Sequence, residues 1–404
     1  MQADDTSCVK SRGVDWTLNK KTIAQFRRQL KTNNDKMQIK EIFHLYIMKD
    51  STDIYHEESM FFDLMEEEEK DMYMTNFKKV LSGQVDQKLF TLKFQTEQSN
   101  DTQLKLHEGL LSSETDTWKE HMRAIVHKIL ANKPYEEDIV VTFIRGNYLQ
   151  TMKKQGDNDP TYGHSFILCS MNQTKAPDRE LVFDYVEKEF IYKVAVDPII
   201  DLKKPFSGFL FPAIIDAASD VNHILYAAKK AYELDYSFIE DVLQAEEVMT
   251  AQEDKAIFEE VVNHVAGDQM DTEMLANVYD EINDRILLNE EEAENENEEE
   301  AILTYKDVEH VLQASGVKGV DGKEVADAFE RVIDDKMHEL KAQNVMPKYH
   351  TKSIKIETKL ANVIVSPEDL RFVKQVKRDG KLYLMIELEE HTHVEGFEMI
   401  PEDK

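Results

Sequence analysis

The sequence predicts an α+β protein, with a mixed, antiparallel-rich domain over residues 18–235, an acidic all-helical region over 236–346 and a small β-rich unit over 347–404. Three observations carry that expectation. Strand and helix patterns in the first half do not alternate as a doubly wound sheet requires. Apolar residues from Phe238 to Leu340 recur at helical spacing, and beyond Pro347 the period falls to two. At 404 residues the chain has room for roughly two to three cores, because one hydrophobic core stops growing at about 250 to 300 residues.

Taken in order, residues 1–17 read as a flexible tail. Asn19 supplies a side-chain oxygen to the first amides of a helix, with Leu18 and Ile23 placed as a hydrophobic staple and Ile23, Phe26 and Leu30 as the apolar stripe. Apolar, β-prone runs predict strands at 39–48 and 53–64. A helix is expected over 66–81, where Glu66 to Glu69 favour the positive end of the helix dipole. A strand follows at 89–94, and Trp118, Met122, Ile125, Val126 and Ile129 define an amphipathic helix. Further strands are expected at 139–144, 165–171, 181–185, 190–196 and 208–211, with a polar loop over 153–163. Asp220 is placed to cap a helix running to Tyr232.

Helices then follow on Phe238, Ile239, Val242 and Leu243, on Ile257 to Val265, and on Met274 to Ile282, each with a buried and an acidic face. Residues 289–300 hold eight glutamates in twelve positions and no large apolar group, so a solvated Glu-rich loop is expected. Helical spacing returns at 305–312 and 325–340. In the last unit Ile354, Ile356, Val363 and Val365 alternate. Asp379-Gly380 reads as a hairpin turn, after which Leu382, Leu384, Ile386 and Leu388 are expected to face a core.

Charge and composition narrow the function classes. Net charge is −31, which opposes general attraction to nucleic acid or to an anionic membrane. It is unevenly distributed: residues 236–300 carry 22 acids against Lys255 and Arg285, whereas 1–40 and 341–381 are net basic. No run approaches the roughly 20 apolar residues of a membrane span. The N-terminus has no apolar signal segment, and Cys8 and Cys169 make no disulfide framework, so the cytoplasm is the expected location. Phosphate-loop, dinucleotide, nucleophile-elbow and zinc-ligand motifs are missing, and no cofactor is predicted.

Several stretches resemble an uncharacterised family, known mainly from bacteria of the Bacillota, named domain of unknown function 4317. They are Leu18 to Arg28, Lys79-Val-Leu-Ser-Gly83, Phe166-Ile-Leu-Cys169, Gly208-Phe-Leu-Phe-Pro-Ala213 and Ile224-Leu-Tyr226, together with the strands around Asp379-Gly380. The resemblance spans about residues 18–400 and implies no activity. Two departures stand out against the family pattern: Asp216 is followed by Ala217 and Ala218 in place of an acid and an arginine, and Cys169 by Ser170-Met171 in place of Cys-Pro.

Candidate chemistry is sparse. Cys169 lies on a strand five residues from His164, and such residues point to opposite faces, so a thiol–imidazole pair is not expected. His391 and His393, with Glu389 and Glu395, share one strand face and form a candidate metal site. Asp157, Asn158 and Asp159 form a candidate cation turn. Arg27 and Arg28 are candidate donors to an acidic ligand, although adjacent helical residues diverge by about 100°. Gly208, Phe209, Phe211 and Pro212 form either a buried strand end or a ligand-facing turn, with Asp216 close behind.

These observations favour a non-enzymatic cytoplasmic binding or regulatory protein that engages a basic protein surface. An enzyme with a polar site in the N-terminal domain is the alternative, and it would need Arg27 or Arg28, Asp216 and a histidine to converge in one pocket. Mimicry of nucleic acid by the acidic helices is the third reading.

Overall fold

The computed structural model describes residues 20–96, 101–151, 161–176, 179–194, 197–215, 218–293, 301–347, 354–359, 362–378, 380–388, 393–394 and 397–398. The tail, Asp157 to Asp159, Asp216 and His391 therefore lie outside the described residues. Two units emerge, Met1–Thr250 and Ala251–Lys404.

In the first unit the chain runs α1 Lys20–Gln29, β1 Met37–Ile47, β2 His56–Phe61, α2 Glu67–Val80, β3 Leu89–Lys93, α3 Thr102–Leu111, α4 Thr115–Asn132, β4 Ile139–Thr151 and β5 Thr161–Lys175. It continues through β6 Arg179–Asp184, β7 Glu189–Val194, β8 Ile199–Phe211, β9 Ala213–Ile215, β10 Ala218–Asp220 and β11 His223–Ala227. Seven strands form one antiparallel sheet in the order β2-β1-β4-β5-β8-β11-β3.

Helices cover both faces of that sheet. Ile23 and Phe26 of α1, Leu30 just beyond its end, and Met74, Phe77 and Val80 of α2 pack on one side. Trp118, Met122, Ile125 and Ile129 of α4, with Phe238, Ile239, Val242 and Leu243, pack on the other. That last set forms a π-helical turn in the first unit's core. Burial on both faces explains why strand 223–227 reads as an apolar run instead of an alternating one. The helix expected from Asp220 is also corrected: β10, paired with β9, ends at Asp220, which accepts from the Asn222 amide at 2.9 Å in the turn that leads into β11.

One irregularity in β1 sets what each face carries. The register with β4 shifts between Ile39 and Glu41, so Met37 and Ile39 pack toward α1 and α2 while Phe43, Leu45 and Ile47 pack toward α4. Glu41 and Arg145 stand opposite each other across the strands and form a buried ion pair. Arg145 also donates to the carbonyl of Ser112 at 2.7 Å, and its guanidinium lies 4.8 Å from the Trp118 ring centre. Gly146 is required beside it, because a Cβ there would come within 2.4 Å of the Gln38 carbonyl oxygen.

The second unit contains α5 Ala251–Ala266, α6 Thr272–Ala293, β12 Ile302–Leu303, α7 Tyr305–Ala314, α8 Gly322–Ile333, β13 Leu340–Lys341 and α9 Ala342–Val345. Phe258, Val261, Val278, Ile282, Val308, Leu312 and Phe329 meet in its core. A capping box of Thr304 and Asp307 starts α7, and Asp321 caps α8. Helix α6 runs on to Ala293 and so enters the stretch 289–300 expected to be loop. Glutamate is itself a good helix former, and the helix has a buried face to build on.

Three two-stranded antiparallel hairpins complete this unit: β14 Ile354–Glu357 with β15 Asn362–Val365, β16 Val373–Arg378 with β17 Lys381–Ile386, and β18 His393–Val394 with β19 Phe397–Glu398. The hairpin of β16 and β17 is anchored at its base, where Leu370 and Val373 are buried and Thr272 donates to the Val373 carbonyl at 2.6 Å. The expectation that Leu382, Ile386 and Leu388 face a core is corrected: all three are exposed, because no second layer covers this hairpin among the described residues.

Two stability experiments follow. Replacing Glu41 by Ala leaves a buried guanidinium without its counter-charge, and urea unfolding should show a loss of about 3–5 kcal/mol, with a clearly smaller loss for Glu41→Leu combined with Arg145→Met. His44, half-buried with Nδ1 3.0 Å from the Thr142 hydroxyl and its ring against Tyr73, has its pKa lowered by burial to about 4. The unfolded chain therefore takes up a proton first as pH falls through roughly 6.5, and stability should decline from there to about pH 4. His44→Gln should flatten that decline by about 1–2 kcal/mol in pH-dependent urea titrations, after allowance for partial exposure.

Candidate functional site

Arg27 and Arg28 occupy the last turn of α1, where positive charge suits the dipole. They diverge as helix geometry requires. Arg27 turns inward and donates to the Leu81 carbonyl at 3.2 Å, satisfying a backbone acceptor at the end of α2, while Arg28 is exposed. Arg27 is thus a clamp between two helices.

The run from Gly208 to Pro212 packs in the interior. Phe209 and Phe211 are wholly buried on the α4 side of the sheet, and Pro212 is buried as well. Gly208 lies where a Cβ would sit 2.3 Å from the Cys169 carbonyl oxygen and 2.7 Å from Val80, so close strand contact demands glycine.

Cys169 is fully buried among apolar neighbours, and burial pushes its thiol pKa well above the ordinary range. His164 projects from the same strand toward a different partner, with Nδ1 2.8 Å from the Ser219 hydroxyl oxygen. Burial lowers its pKa. The strand carries His393 in β18, but its side chain and those of His391, Glu389 and Glu395 lie outside the described residues. Among the described residues no group of three or more His, Cys, Asp or Glu is arranged to hold a metal.

Two features were not foreseen in the sequence. The first is an open cleft of about 460 Å³ lined by Asp53 to Glu57 from the start of β2 and by Arg123 and His127 of α4. Arg123 grips Glu57 through two bonds of 2.7 and 2.8 Å, which hold the Glu57 carboxyl below its ordinary pKa and raise that of Arg123. The pair is internally neutralised, and the exposed polar side chains lining the cleft are Asp53, Tyr55, His56 and His127. Its members are 66 positions apart, and no local pattern marks them.

The second is a buried chain of amides and a hydroxyl. Asn76 donates to the Leu202 carbonyl and Asn172 to the Asp201 carbonyl, each at 2.8 Å, and the Ser170 hydroxyl lies between their side-chain oxygens. These bonds hold the irregular start of β8 against β5 and α2.

The broadest surface feature belongs to the second unit. Glu253, Glu259 and Glu260 on α5 and Asp271, Glu273, Asp280 and Asp284 at and along α6 are all exposed, opposite the apolar stripes that enter the core. Both bases of these helices are engaged: Lys255 lies 3.7 Å from Glu259, and Arg285 lies 2.5 Å from Asp307. What faces solvent along these two helices is therefore mostly carboxylate.

The buried environment of Cys169 has a direct chemical consequence. In a Cys8→Ser variant, a thiol reagent such as 5,5′-dithiobis(2-nitrobenzoate) should find no reactive group in the native protein and one equivalent in urea. Rapid native-state labelling would contradict the packing.

The family described as Domain of unknown function (DUF4317) matches residues 18–397. No curated protein matches the chain.

Proposed function

We propose, for a chain that belongs to the DUF4317 family and takes no activity from its description, a non-enzymatic binding or regulatory role in the cytoplasm, directed at a basic protein partner. The observation that carries this reading is the outward row of carboxylates on α5 and α6, whose own bases are already paired. Exposed charges of this kind accelerate encounter and select partners by sign more than they add affinity. The finer organisation belongs to the same reading: an acidic helical region up to about residue 346 would present the surface, and the β-rich C-terminal unit would stand apart from it. Support for that division is that α5 to α8 build one core, while β14 to β19 pair only as hairpins.

Attraction to nucleic acid is disfavoured by a charge of −31. No helix among the described residues is long and apolar enough to cross a membrane. The enzyme alternative has less to draw on, since Arg27 and Cys169 serve packing.

Binding of a Lys/Arg-rich peptide panel, measured by fluorescence anisotropy, should weaken steeply as salt rises from about 50 to about 300 mM. Neutralising Glu259, Glu260, Glu273 and Asp280 to their amides should weaken it by about tenfold. The control neutralises Glu66, Glu68, Glu136 and Glu137 in the first unit, changing total charge equally. Equal loss in both variants would refute a localised surface.

A further inference from the structure

Strands β6 and β7 form a hairpin between β5 and β8, outside the seven-stranded sheet. Leu181 stands opposite Tyr192 and Phe183 opposite Phe190, so these four side chains share one face. The rings of Phe183 and Phe190 are 5.2 Å apart, and Tyr185 meets Phe183 edge-on at 5.3 Å. This face is open: Leu181 is 64% exposed, Phe183 40%, Tyr185 86%, Phe190 74% and Tyr192 61%. The turn is pinned by Asp184, whose carboxylate accepts from the Val186 and Glu187 amides at 2.8 and 3.2 Å. Alternation places Glu180, Asp184 and Glu189 on the opposite face, so the aromatic face holds no carboxylate, and position 179, an arginine, is the one formally charged position at its open end.

A cluster of this kind marks a surface made to be covered, since an isolated hairpin is marginal in water and soluble proteins rarely expose contiguous aromatics. We propose that its occupant is the same face of a second copy, forming a two-fold dimer in which the Phe183 and Phe190 rings of the copies interdigitate. Charge argues for this occupant. Two chains of −31 repel over most of their surfaces, and an aromatic face free of carboxylates lets them touch without burying negative charge. A basic partner would be drawn to the acidic helices and would gain nothing electrostatically here. Area sets the strength. Large side chains bury about 150–250 Å² each, so five partly exposed ones supply on the order of 500 Å² per copy. The total of about 1,000 Å² is at the lower limit of a specific interface, and the dimer is correspondingly weak. This self-pairing is independent of the basic-partner reading, and the two respond oppositely to salt: screening strengthens contact between like-charged copies and weakens contact with a basic partner.

Sedimentation velocity of the full chain over about 1 to 300 μM should show a reversible monomer–dimer equilibrium, with a dimer fraction that rises with salt. Phe183→Ser combined with Phe190→Ser should remain monomeric throughout, while Leu382→Ser combined with Met385→Ser, on the other exposed hairpin, should dimerise as the wild type does. As a second measurement, Phe190→Cys in a Cys8→Ser background should oxidise to a disulfide-linked dimer far faster than Glu137→Cys in the same background. A wild type that stays monomeric overturns the proposal, whatever else covers the hairpin. So does a dimer that survives loss of both phenylalanines, or cross-linking no faster at position 190 than at 137.

Discussion

The middle of the large sheet, made of most of β4, β5 from Phe166 to Asn172, β8 from Gly208 to Phe211, and β11, is flanked by sheet neighbours and by helices, and so has almost no solvent face. Every group it carries must either be apolar or meet a fixed partner, and the first unit follows from that requirement. Phe143, Ile167, Cys169, Phe209 and Phe211 meet the α4 layer, while Ile144, Phe166, Leu168 and Leu210 meet the layer of α1 and α2. Where polar residues enter, they arrive matched: Arg145 with Glu41, Asn76 and Asn172 with carbonyls of β8. Gly208 and Gly146 exist because strands pressed from both sides approach too closely for a Cβ.

This crowding also decides what could be read from the sequence. Helix α4 was legible because one face meets the sheet and the other meets water, leaving a clear 3.6-residue rhythm. Strands β4 and β5 were recognised only in their apolar centres. They extend to 13 and 15 residues because Arg145, Asn147, His164 and others remain in the ladder despite their polarity. The strand 223–227 lost its period because both of its faces are covered. Helix α3 passed unnoticed for another reason: its first amides, from Asp101 and Thr102, donate to Oε1 of Gln244, the latter 142 positions away. A cap of that kind has no local signature.

The surfaces divide in the same manner. Acidity of α5 and α6 is a property of composition and was visible at once, whereas the pairing of Lys255 with Glu259 and of Arg285 with Asp307, which engages both bases of these helices, needed coordinates. The exposure of β6 and β7 was hidden for the opposite reason. Their apolar alternation is what a half-buried strand should show, and only the layer order reveals that no helix lies over them. Charge and apolar exposure thus occupy different places on the chain and suit different contacts.

The two outermost strands of the large sheet are short, β2 with six residues and β3 with five. β2 carries Glu57 and Glu58, and β3 is closed off at one end, where the Lys93 carbonyl accepts from the Glu246 amide and the Gln95 amide donates to Gln244. A foreign strand seeking to add itself finds carboxylates on one border and occupied backbone groups on the other. Strand addition at the borders of this sheet is thereby opposed, so association between copies has to draw on other surfaces of the chain.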